Sequence, residues 1–423
     1  MPDCDPLAPQ GPEPVAGRRW LSIVGIGEDG LAGLSPAARA LIEQAGIVFG
    51  GARHLALASD AVRGTARAWP SPFEEGVREV LAMRGENVCV LASGDPFLHG
   101  VGAVLARHVP VDQMHVMPAP SAFSLATSRL GWALPDITCL SAHGRPLDLI
   151  RPHLHPGRRL LVLTSDENGP RALAELVTVA GFGGSRLHVL EALGGAREWV
   201  RGVAAEAFDL ADIDPLNVVG LEVEAGEGAR IIALTPGLPD ELFEHDGQLT
   251  KRDMRAMTLG ALAPRRGELL WDIGAGAGSV AIEWMLADPS LKAIAIEERE
   301  TRAARIARNA SALGVPGLVL VQGSAPAALA GLPAPDAIFV GGGASEAGVM
   351  DAALAVLKPG GRLVVNAVTL ETEALLLARH AALGGELTRI AISRAAPVAG
   401  MTGWRPAMPV TQWSWMKPVG QAR

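Results

Sequence analysis

The segment of residues 269–279, LLWDIGAGAGS, constrains the fold most, because an apolar run ends there in three alternating glycines before a helical pattern begins. Glycine at such a turn lets backbone N–H groups approach a ligand without an intervening Cβ atom. A second apolar run, residues 292–297, ends in Glu297. A carboxylate at that distance from the turn can accept both hydroxyls of a ribose. Together these features indicate a nucleoside-cofactor site.

Two cofactors fit such a site. A dinucleotide fingerprint needs a third glycine three positions after the second, where this chain has Ser279. The shorter pattern Asp-x-Gly-x-Gly-x-Gly of residues 272–278 resembles the S-adenosylmethionine signature of seven-strand methyltransferases. The spacing therefore favours S-adenosyl-L-methionine over NAD, with an NAD-dependent dehydrogenase as the alternative.

Composition narrows the class of protein. The 423 residues suffice for two or three domains, and 49% hydrophobic with 19% charged residues is typical of a soluble α/β protein. No run approaches the roughly 18 apolar residues of a membrane span, and the N-terminus does not resemble a secretory signal, so we expect a cytoplasmic protein. The net charge of -8 argues against a nucleic-acid partner, and the three widely spaced cysteines indicate no metal site.

Proline- and glycine-rich segments of the chain predict where its domains begin and end. Residues 1–18 are proline-rich and lack apolar periodicity, which predicts a disordered tail. Short β-like runs then alternate with helical patterns over residues 19–235, so we expect an α/β domain with a largely parallel sheet. A Pro-Gly-Leu-Pro run starts the second domain, residues 236–423. Its five strand-like runs, followed by a tail rich in Trp and Pro, suit one doubly wound, Rossmann-like domain.

The first domain carries three loops of its own. Residues 24–30 match G-x-G-x-x-G, but no acidic residue closes a second strand at the distance that a dinucleotide site needs. A Ser-Gly-Asp-Pro loop at residues 93–96 follows another apolar run, and the Pro-Ala-Pro-Ser segment at residues 118–121 opens a helix. Each loop alone is weak evidence for a ligand site.

The order and spacing of these three loops resemble the tetrapyrrole (corrin and porphyrin) methyltransferase family over residues 20–234. The resemblance implies a fold of two α/β subdomains with S-adenosylmethionine between them. The residues that it assigns to this cofactor are Gly25, Gly27, Ser93, Gly94, Asp95, Ser121 and Ala122. The family's first loop often reads Gly-x-Gly-Pro-Gly-Asp, whereas residues 28–30 are Glu-Asp-Gly, a variant similar to the branch that acts on carbon 5 of the precorrin ring.

The second domain resembles the partner branch, which methylates carbon 15 and decarboxylates the acetate on carbon 12. The segments that carry this resemblance are residues 248–252, 272–278, 323–326, 340–343 and 366–372. The residues that this resemblance implies for binding the methyl donor are Thr250, Gly274, Ala275, Gly276, Ala277, Gly278, Glu297, Ser324 and Ala325. Relatives often have Asp at the position of Ser324. Both branches on one chain imply a bifunctional methyltransferase and decarboxylase of cobalamin biosynthesis, with a precorrin substrate. Because the stand-alone relatives assemble, a homo-oligomer is also an expectation.

The chemistry needs few side chains. A sulfonium methyl group is already activated, so holding the ring carbon in line and excluding water suffice, and we identify no Ser-His-Asp or Cys-His arrangement. For the decarboxylation, Lys251 and Arg252 are candidates to orient carboxylates, and Glu371, or a water it holds, is the candidate acid. The alternative is a solvated helix start for the first two and a pairing with a neighbouring helix for Glu371.

Other polar residues have structural interpretations. His99 follows Phe97 and Leu98, a position typical of a packing histidine. Glu298 and Arg302 are four residues apart in a predicted helix, which indicates an exposed ion pair. Action on another corrinoid intermediate, or a non-catalytic sensor of S-adenosylmethionine or a tetrapyrrole, remains as an alternative function. Two separate cofactor loops argue against a sensor, which needs one.

Overall fold

The computed structural model describes residues 19–419, so the tail predicted at residues 1–18 lies outside the described residues. The chain divides into two compact units, the first up to Leu147 with His153–Arg230, and the second Asp148–Pro152 with Ile231–Arg423. The division thus falls slightly before residue 236. Ile232 explains the difference, because it is buried in a cluster with helices of the second unit.

The elements of the first unit alternate between strand and helix. In chain order they are β1 (Leu21–Ile26), α1 (Pro36–Gln44), β2 (Ile47–Gly50), α2 (Ala52–Leu57), β3 (Thr65–Ala68), α3 (Phe73–Ala82), β4 (Val88–Ser93), α4 (Val101–Leu105), β5 (Met114–Met117), α5 (Ala122–Leu130), β6 (Thr138–Ser141), β7 (Arg159–Leu163), α6 (Gly169–Val177), β8 (Arg186–Glu191), β9 (Trp199–Ala204) and β10 (Asn217–Glu222).

The first sheet of this unit, ordered β3-β2-β4-β1-β5, is parallel throughout. Strand β1 is fully buried, as a central strand with both faces covered requires. The carboxyl ends of parallel strands meet at one edge, so the loops after the neighbouring strands β4, β1 and β5 lie side by side. This edge carries the three loops that the sequence singled out.

The second sheet, ordered β6-β7-β10-β8-β9, departs from the expectation of a largely parallel arrangement. Only β6 and β7 run parallel among its described pairs, while β10 is antiparallel to β7 and β8, and β9 is antiparallel to β8. The connection from β8 to β9 is short, and neighbouring strands joined by a short turn must run antiparallel.

The second unit repeats the alternation. Its elements are α7 (Arg252–Leu262), β11 (Leu269–Ile273), α8 (Ser279–Ala287), β12 (Lys292–Glu297), α9 (Glu300–Ala312), β13 (Val319–Gln322), β14 (Ala337–Val340), α10 (Val349–Val356), β15 (Arg362–Ala367), α11 (Leu370–Leu383), β16 (Glu386–Ile390), β17 (Ser393–Val398), β18 (Met401–Pro406) and β19 (Val410–Met416).

One seven-stranded sheet, ordered β13-β12-β11-β14-β15-β19-β16, organises this unit. Strands β11–β15 are the five predicted runs and are parallel, whereas β19 is antiparallel to both β15 and β16. The Trp-rich tail therefore completes the sheet. Its Trp413 is fully buried, with Nε1 donating to the Gly384 carbonyl at 2.9 Å. Within residues 19–419, no helix is both long and apolar enough to cross a bilayer.

Candidate functional site

A cavity of about 470 Å³ lies at the carboxyl end of the second unit's sheet. The glycine loop after β11 forms one wall, and Gly274 and Gly276 adopt left-handed φ angles of +69° and +60°. A Cβ atom at Gly274 would lie 2.7 Å from the Gly342 carbonyl oxygen. Only glycine combines this backbone conformation with so close an approach.

Glu297 ends β12 beside this loop and is almost fully buried. Its Oε2 accepts a hydrogen bond from the Gly276 N–H at 2.8 Å, and its Oε1 accepts one from the Arg299 N–H at 3.1 Å. The carboxylate therefore fixes the shape of the loop. Each oxygen keeps a second lone pair that a ribose hydroxyl can use.

Asp272 forms part of the cavity wall and is only 1% exposed. Its Oδ2 accepts from the Ala281 N–H at 3.1 Å, while Oδ1 is buried with no hydrogen-bond partner among the described residues. Burial, reinforced by the nearby charge of Glu297, raises the pKa of Asp272 to about 7. An unsatisfied carboxyl oxygen at a cavity is suited to a donor or cationic group of a ligand. The ammonium group of S-adenosylmethionine meets this requirement.

A buried ion pair supports the segment that carries Thr250. Arg255 is fully buried, and its Nε donates to Glu283 Oε1 at 2.5 Å while its Nη1 donates to the Thr250 carbonyl at 2.5 Å. Glu283 Oε2 in turn accepts from the Gly237 N–H at 2.6 Å. The segment before α7 is thereby tied to α8, and Thr250 is held at the cavity.

The structure brings some of the predicted residues of this unit together. Those that line the cavity are Thr250, Lys251, Gly274, Ala275 and Gly276. Those outside its lining are Arg252, Ala277, Gly278, Glu297, Ser324, Ala325 and Glu371. Glu371 is exposed in the first turn of α11, and the Arg252 side chain is exposed at the start of α7.

Sequence reasoning missed two cationic residues of this wall, Arg302 and Arg394. The predicted Glu298–Arg302 helix pair is wrong, because α9 begins at Glu300 and the Nε of Arg302 donates to Asp246 Oδ2 at 2.9 Å. That bond holds the pKa of Asp246 below its usual range. Since β17 carries Arg394 from far along the chain, no local pattern could have identified it.

A second cavity, of about 400 Å³, lies in the first unit. Predicted residues that line it are Gly27, Ser93, Gly94, Asp95, Ser121 and Ala122. Gly25 lies outside this lining and supports it, because a Cβ atom there would be 1.8 Å from the Gly94 carbonyl oxygen. The loops after β1 and β4 therefore pack backbone against backbone.

Local hydrogen bonds shape these loops. Ser121 caps α5, with its Oγ accepting from the Ser124 N–H at 3.1 Å, and Asp95 Oδ1 accepts from the Phe97 N–H at 2.9 Å. His99 is exposed, lines the cavity and has a φ of +56°, so its interpretation as a packing histidine is wrong. A non-glycine residue in this conformation is uncommon and is found preferentially at functional loops.

A polar cluster converges on Ser93, whose Oγ lies 2.8 Å from His54 Nε2 and 2.9 Å from Arg53 Nη2. Burial, together with the charge of Arg53, lowers the pKa of His54 to about 4. Because His54 Nδ1 has no hydrogen-bond partner among the described residues, this pair lacks the carboxylate of a Ser-His-Asp arrangement, which the sequence did not predict. Strands β2 and β4 are neighbours in the sheet, which brings the start of α2 to the end of β4. The run Gly-Gly-Ala-Arg-His after β2 was the available signal.

Each of the two α/β units has a cavity beside a glycine-rich loop, the arrangement that the sequence motifs predicted for an S-adenosylmethionine-dependent methyltransferase. Residues 21–207 match the model of the tetrapyrrole (corrin/porphyrin) methylases, and residues 241–417 match that of a precorrin methyltransferase domain. A precorrin-6Y C(5,15)-methyltransferase [decarboxylating] from Sinorhizobium sp is 62% identical over 96% of this chain and 98% of its own length. The chain belongs to this family of decarboxylating precorrin-6Y C(5,15)-methyltransferases.

Two further similarities accompany this assignment. The precorrin-6Y C(5,15)-methyltransferase [decarboxylating] of Mycobacterium tuberculosis strain CDC 1551 is 43% identical over 93% of this chain and 98% of its own length. The crystal structure of the C-terminal domain of the precorrin-6Y C5,15-methyltransferase from Rhodobacter capsulatus has 52% identity, covering 44% of this chain and 100% of that domain, with a TM-score of 0.42. Across residues 19–419, no group of three or more His, Cys, Asp or Glu side chains could hold a metal ion.

Proposed function

We propose that this chain methylates precorrin-6B, also called precorrin-6Y, at ring carbons 5 and 15 and decarboxylates the carbon-12 acetate, giving precorrin-8 in cobalamin biosynthesis. The observation that carries the proposal is the presence of two cavities on one chain, each behind a glycine loop in its own unit. We assign carbon 5 to the domain of residues 19–235. Carbon 15 and the decarboxylation belong to the domain of residues 236–423.

S-adenosylmethionine, when bound, supplies an activated methyl group, and the chain supplies its position. In the second unit, Asp272 Oδ1 would accept from the ammonium group of the cofactor and Glu297 would accept from its ribose, while Gly276 would let the backbone approach. In the first unit, the backbone around Gly94 and Ala122 forms the equivalent cradle.

The decarboxylation depends on cations around the second cavity. Lys251, Arg302 and Arg394 line it and can pair with the carboxylates of a precorrin. When the bond to the carboxylate breaks, carbon dioxide leaves and the electron pair of that bond passes into the conjugated macrocycle. The acetate carbon that remains then takes up a proton. Glu371, or a water it holds, stays our candidate acid, and Arg252 stays a second candidate to orient carboxylates.

Mass spectrometry of the tetrapyrrole after incubation with the full chain and S-adenosylmethionine tests this function. We expect a gain of two methyl groups and a loss of one carbon dioxide. Two cavity-filling variants, Ala122→Trp and Ala275→Trp, divide the reactions because each residue lines one cavity. Ala122→Trp should retain one methylation and the decarboxylation, whereas Ala275→Trp should retain one methylation alone. An unchanged precorrin with the wild-type chain contradicts the proposal.

We also expect the enzyme to work in the cytoplasm as a homo-oligomer, on a small molecule rather than on nucleic acid. The acidic net charge of -8 supports the last point. Light scattering of the full chain after size exclusion measures the oligomeric state, and a monomer at micromolar concentration contradicts that expectation.

A further inference from the structure

The cluster around Ser93 contains more polar groups than a backbone cradle for a methyl donor requires. Ser93 lines the first cavity, and both His54 and Arg53 contact its hydroxyl. Arg53 is itself fixed by an ion pair with Glu28, and Arg197 Nη2 lies 3.7 Å from Glu28 Oε2. The charged group in contact with His54 is therefore Arg53, which is paired in turn with Glu28, and Arg197 lies next to Glu28.

The contacts of His54 constrain where its ring proton lies. Arginine can only donate, so Arg53 Nη2, at 3.0 Å from His54 Nε2, requires that this nitrogen carry no proton. Ser93 Oγ accepts from the same guanidinium at 2.9 Å and lies 2.8 Å from His54 Nε2, so the Ser93 O–H can share that nitrogen with Arg53 as a second donor. The single ring proton is then on Nδ1, which is buried without a partner among the described residues. His54 is a neutral proton acceptor behind a hydroxyl that faces the cavity.

Methylation at carbon 5 creates a need for such a group. The proposed function replaces a hydrogen on carbon 5 by a methyl group, so a proton must leave after methyl transfer. On the basis of the proposed function, we propose that Ser93, backed by His54, removes the proton from carbon 5. In this proposal Ser93 is the catalytic residue because it lines the cavity, and His54 acts through it as a positioning residue.

The step balances without an added reactant. Carbon 5 forms a bond to the methyl carbon as the sulfur–carbon bond breaks, and the macrocycle takes over the positive charge. The carbon–hydrogen bond then breaks, its electron pair returns to the conjugated ring, and the proton passes to Ser93 Oγ. The former Ser93 proton moves to His54 Nε2 and later to solvent. Arg53, held by Glu28, stabilises negative charge that develops on the Ser93 oxygen.

Asp95 is the rival acceptor, since its carboxylate lines the same cavity. One of its oxygens, Oδ1, already accepts from the Phe97 N–H at 2.9 Å. The Ser93 cluster has the better geometry, because its hydroxyl is already hydrogen-bonded to an unprotonated ring nitrogen. A substitution at each position separates the two.

The test uses the full chain, S-adenosylmethionine and precorrin that carries deuterium at carbon 5, quenched during a single turnover and analysed by mass spectrometry. Wild type should lose deuterium as it gains the methyl group. His54→Gln and Ser93→Ala should accumulate methylated tetrapyrrole that still carries deuterium, with deuterium loss slowed about 100-fold, the order of general base catalysis. His115→Gln, on β5 of the same sheet, is the matched control and should behave as wild type.

Two readouts do not depend on turnover. S-adenosylhomocysteine should bind His54→Gln and wild type with the same affinity by calorimetry, since His54 lies outside the cavity lining. Nitrogen-15 spectra of labelled histidine, assigned with His54→Gln, should show a neutral ring protonated on Nδ1 from pH 5 to pH 8, because the pKa of His54 is about 4. An imidazolium at pH 7 overturns the proposal.

The remaining outcomes separate this inference from the proposed function. Deuterium loss at the wild-type rate in His54→Gln, or slow methyl transfer without deuterium retention, overturns the role of the Ser93 cluster. Deuterium retention in Asp95→Asn alone assigns the proton to the rival and also overturns it. If wild type leaves carbon 5 unmethylated, the proposed function of the first unit is wrong instead. Methylation at carbon 15 is an internal control for the activity of the second unit in every variant.

Discussion

The two units both end a parallel strand in a glycine loop, yet they use glycine for different reasons. In the first unit, Gly25 has no left-handed φ, and its hydrogen is needed because the Gly94 carbonyl packs directly against it. In the second unit, the loop of residues 274–278 needs left-handed φ angles as well as close approach. One loop therefore depends on packing between two chain segments and the other on its own backbone conformation.

Side chains support the two cavities differently as well. The second cavity has fully buried ionisable groups at its wall and behind it, with Arg255 paired to Glu283 and Asp272 held apart from solvent. The first has hydroxyl and imidazole groups arranged by exposed or half-buried cations such as Arg53. Substitutions should therefore act on the first cavity mainly through sterics and on the second mainly through electrostatics.

The largest expected effect is steric. Gly25→Ala places a methyl group 1.8 Å from the Gly94 carbonyl oxygen, between two backbone segments that cannot move aside without unpairing β1. We expect the first unit to lose its cooperative unfolding transition, with more than about 4 kcal/mol of destabilisation. Differential scanning calorimetry of the full chain measures this.

Gly46→Ala is the control for this effect. Its Cβ would meet only the Asn87 carbonyl oxygen, at 3.8 Å, so we expect the first transition to remain. A Gly25→Ala chain with both transitions intact would show that the loops of the first unit can separate, and the packing account of that cavity would fail.

The next effect is electrostatic. Arg255→Met removes one partner of a buried ion pair and leaves the Glu283 carboxylate uncompensated, which costs about 3–5 kcal/mol in comparable cases. We expect this loss in guanidinium chloride unfolding of the second unit, together with weaker S-adenosylhomocysteine binding because Thr250 is released. Arg266→Met breaks an exposed pair with Asp288 and should change neither quantity. Equal stability of the two variants contradicts the role of the buried Arg255–Glu283 ion pair.

The smallest effect depends on pH. The pKa of Asp272 is raised to about 7 from an ordinary 3.8, so between these values the folded chain holds a proton that the unfolded chain has released. Stability from this group is therefore complete below pH 4 and is lost as the pH rises through 7, by at most about 4 kcal/mol. Asp272→Asn removes the titration. Urea unfolding of both proteins at pH 5 and pH 8 should give free-energy differences that diverge, and parallel values contradict the buried, unpaired carboxyl.

Local patterns in the sequence were enough to predict the parallel strands and the glycine loop of the second unit. Strands β11–β15 correspond to five apolar runs, and the loop of residues 272–278 lies at a cavity because strand, turn and helix follow one another directly. The roles of Asp272 and Arg255 depend on burial, which spacing does not reveal. Arg394 reaches the cavity from an antiparallel hairpin, so its position depends on tertiary packing.

The first unit was harder to predict for the same reason. Ser93 and His54 are far apart in sequence, and they meet because β2 pairs with β4 rather than with its neighbour in the chain, β1. Sheet order sets such contacts, and apolar periodicity carries no information about it. The antiparallel pairing of β8–β10 was also not predicted, since strand direction depends on connections that apolar runs in the sequence do not specify.

Calorimetric titration of the full chain with S-adenosylhomocysteine tests the central claim, that two independent donor sites lie on one chain, most directly. We expect two molecules bound per chain in wild type and one in each of Ala122→Trp and Ala275→Trp, with the remaining site unchanged in affinity. A single molecule bound to wild type, or loss of both sites in either variant, would contradict the account.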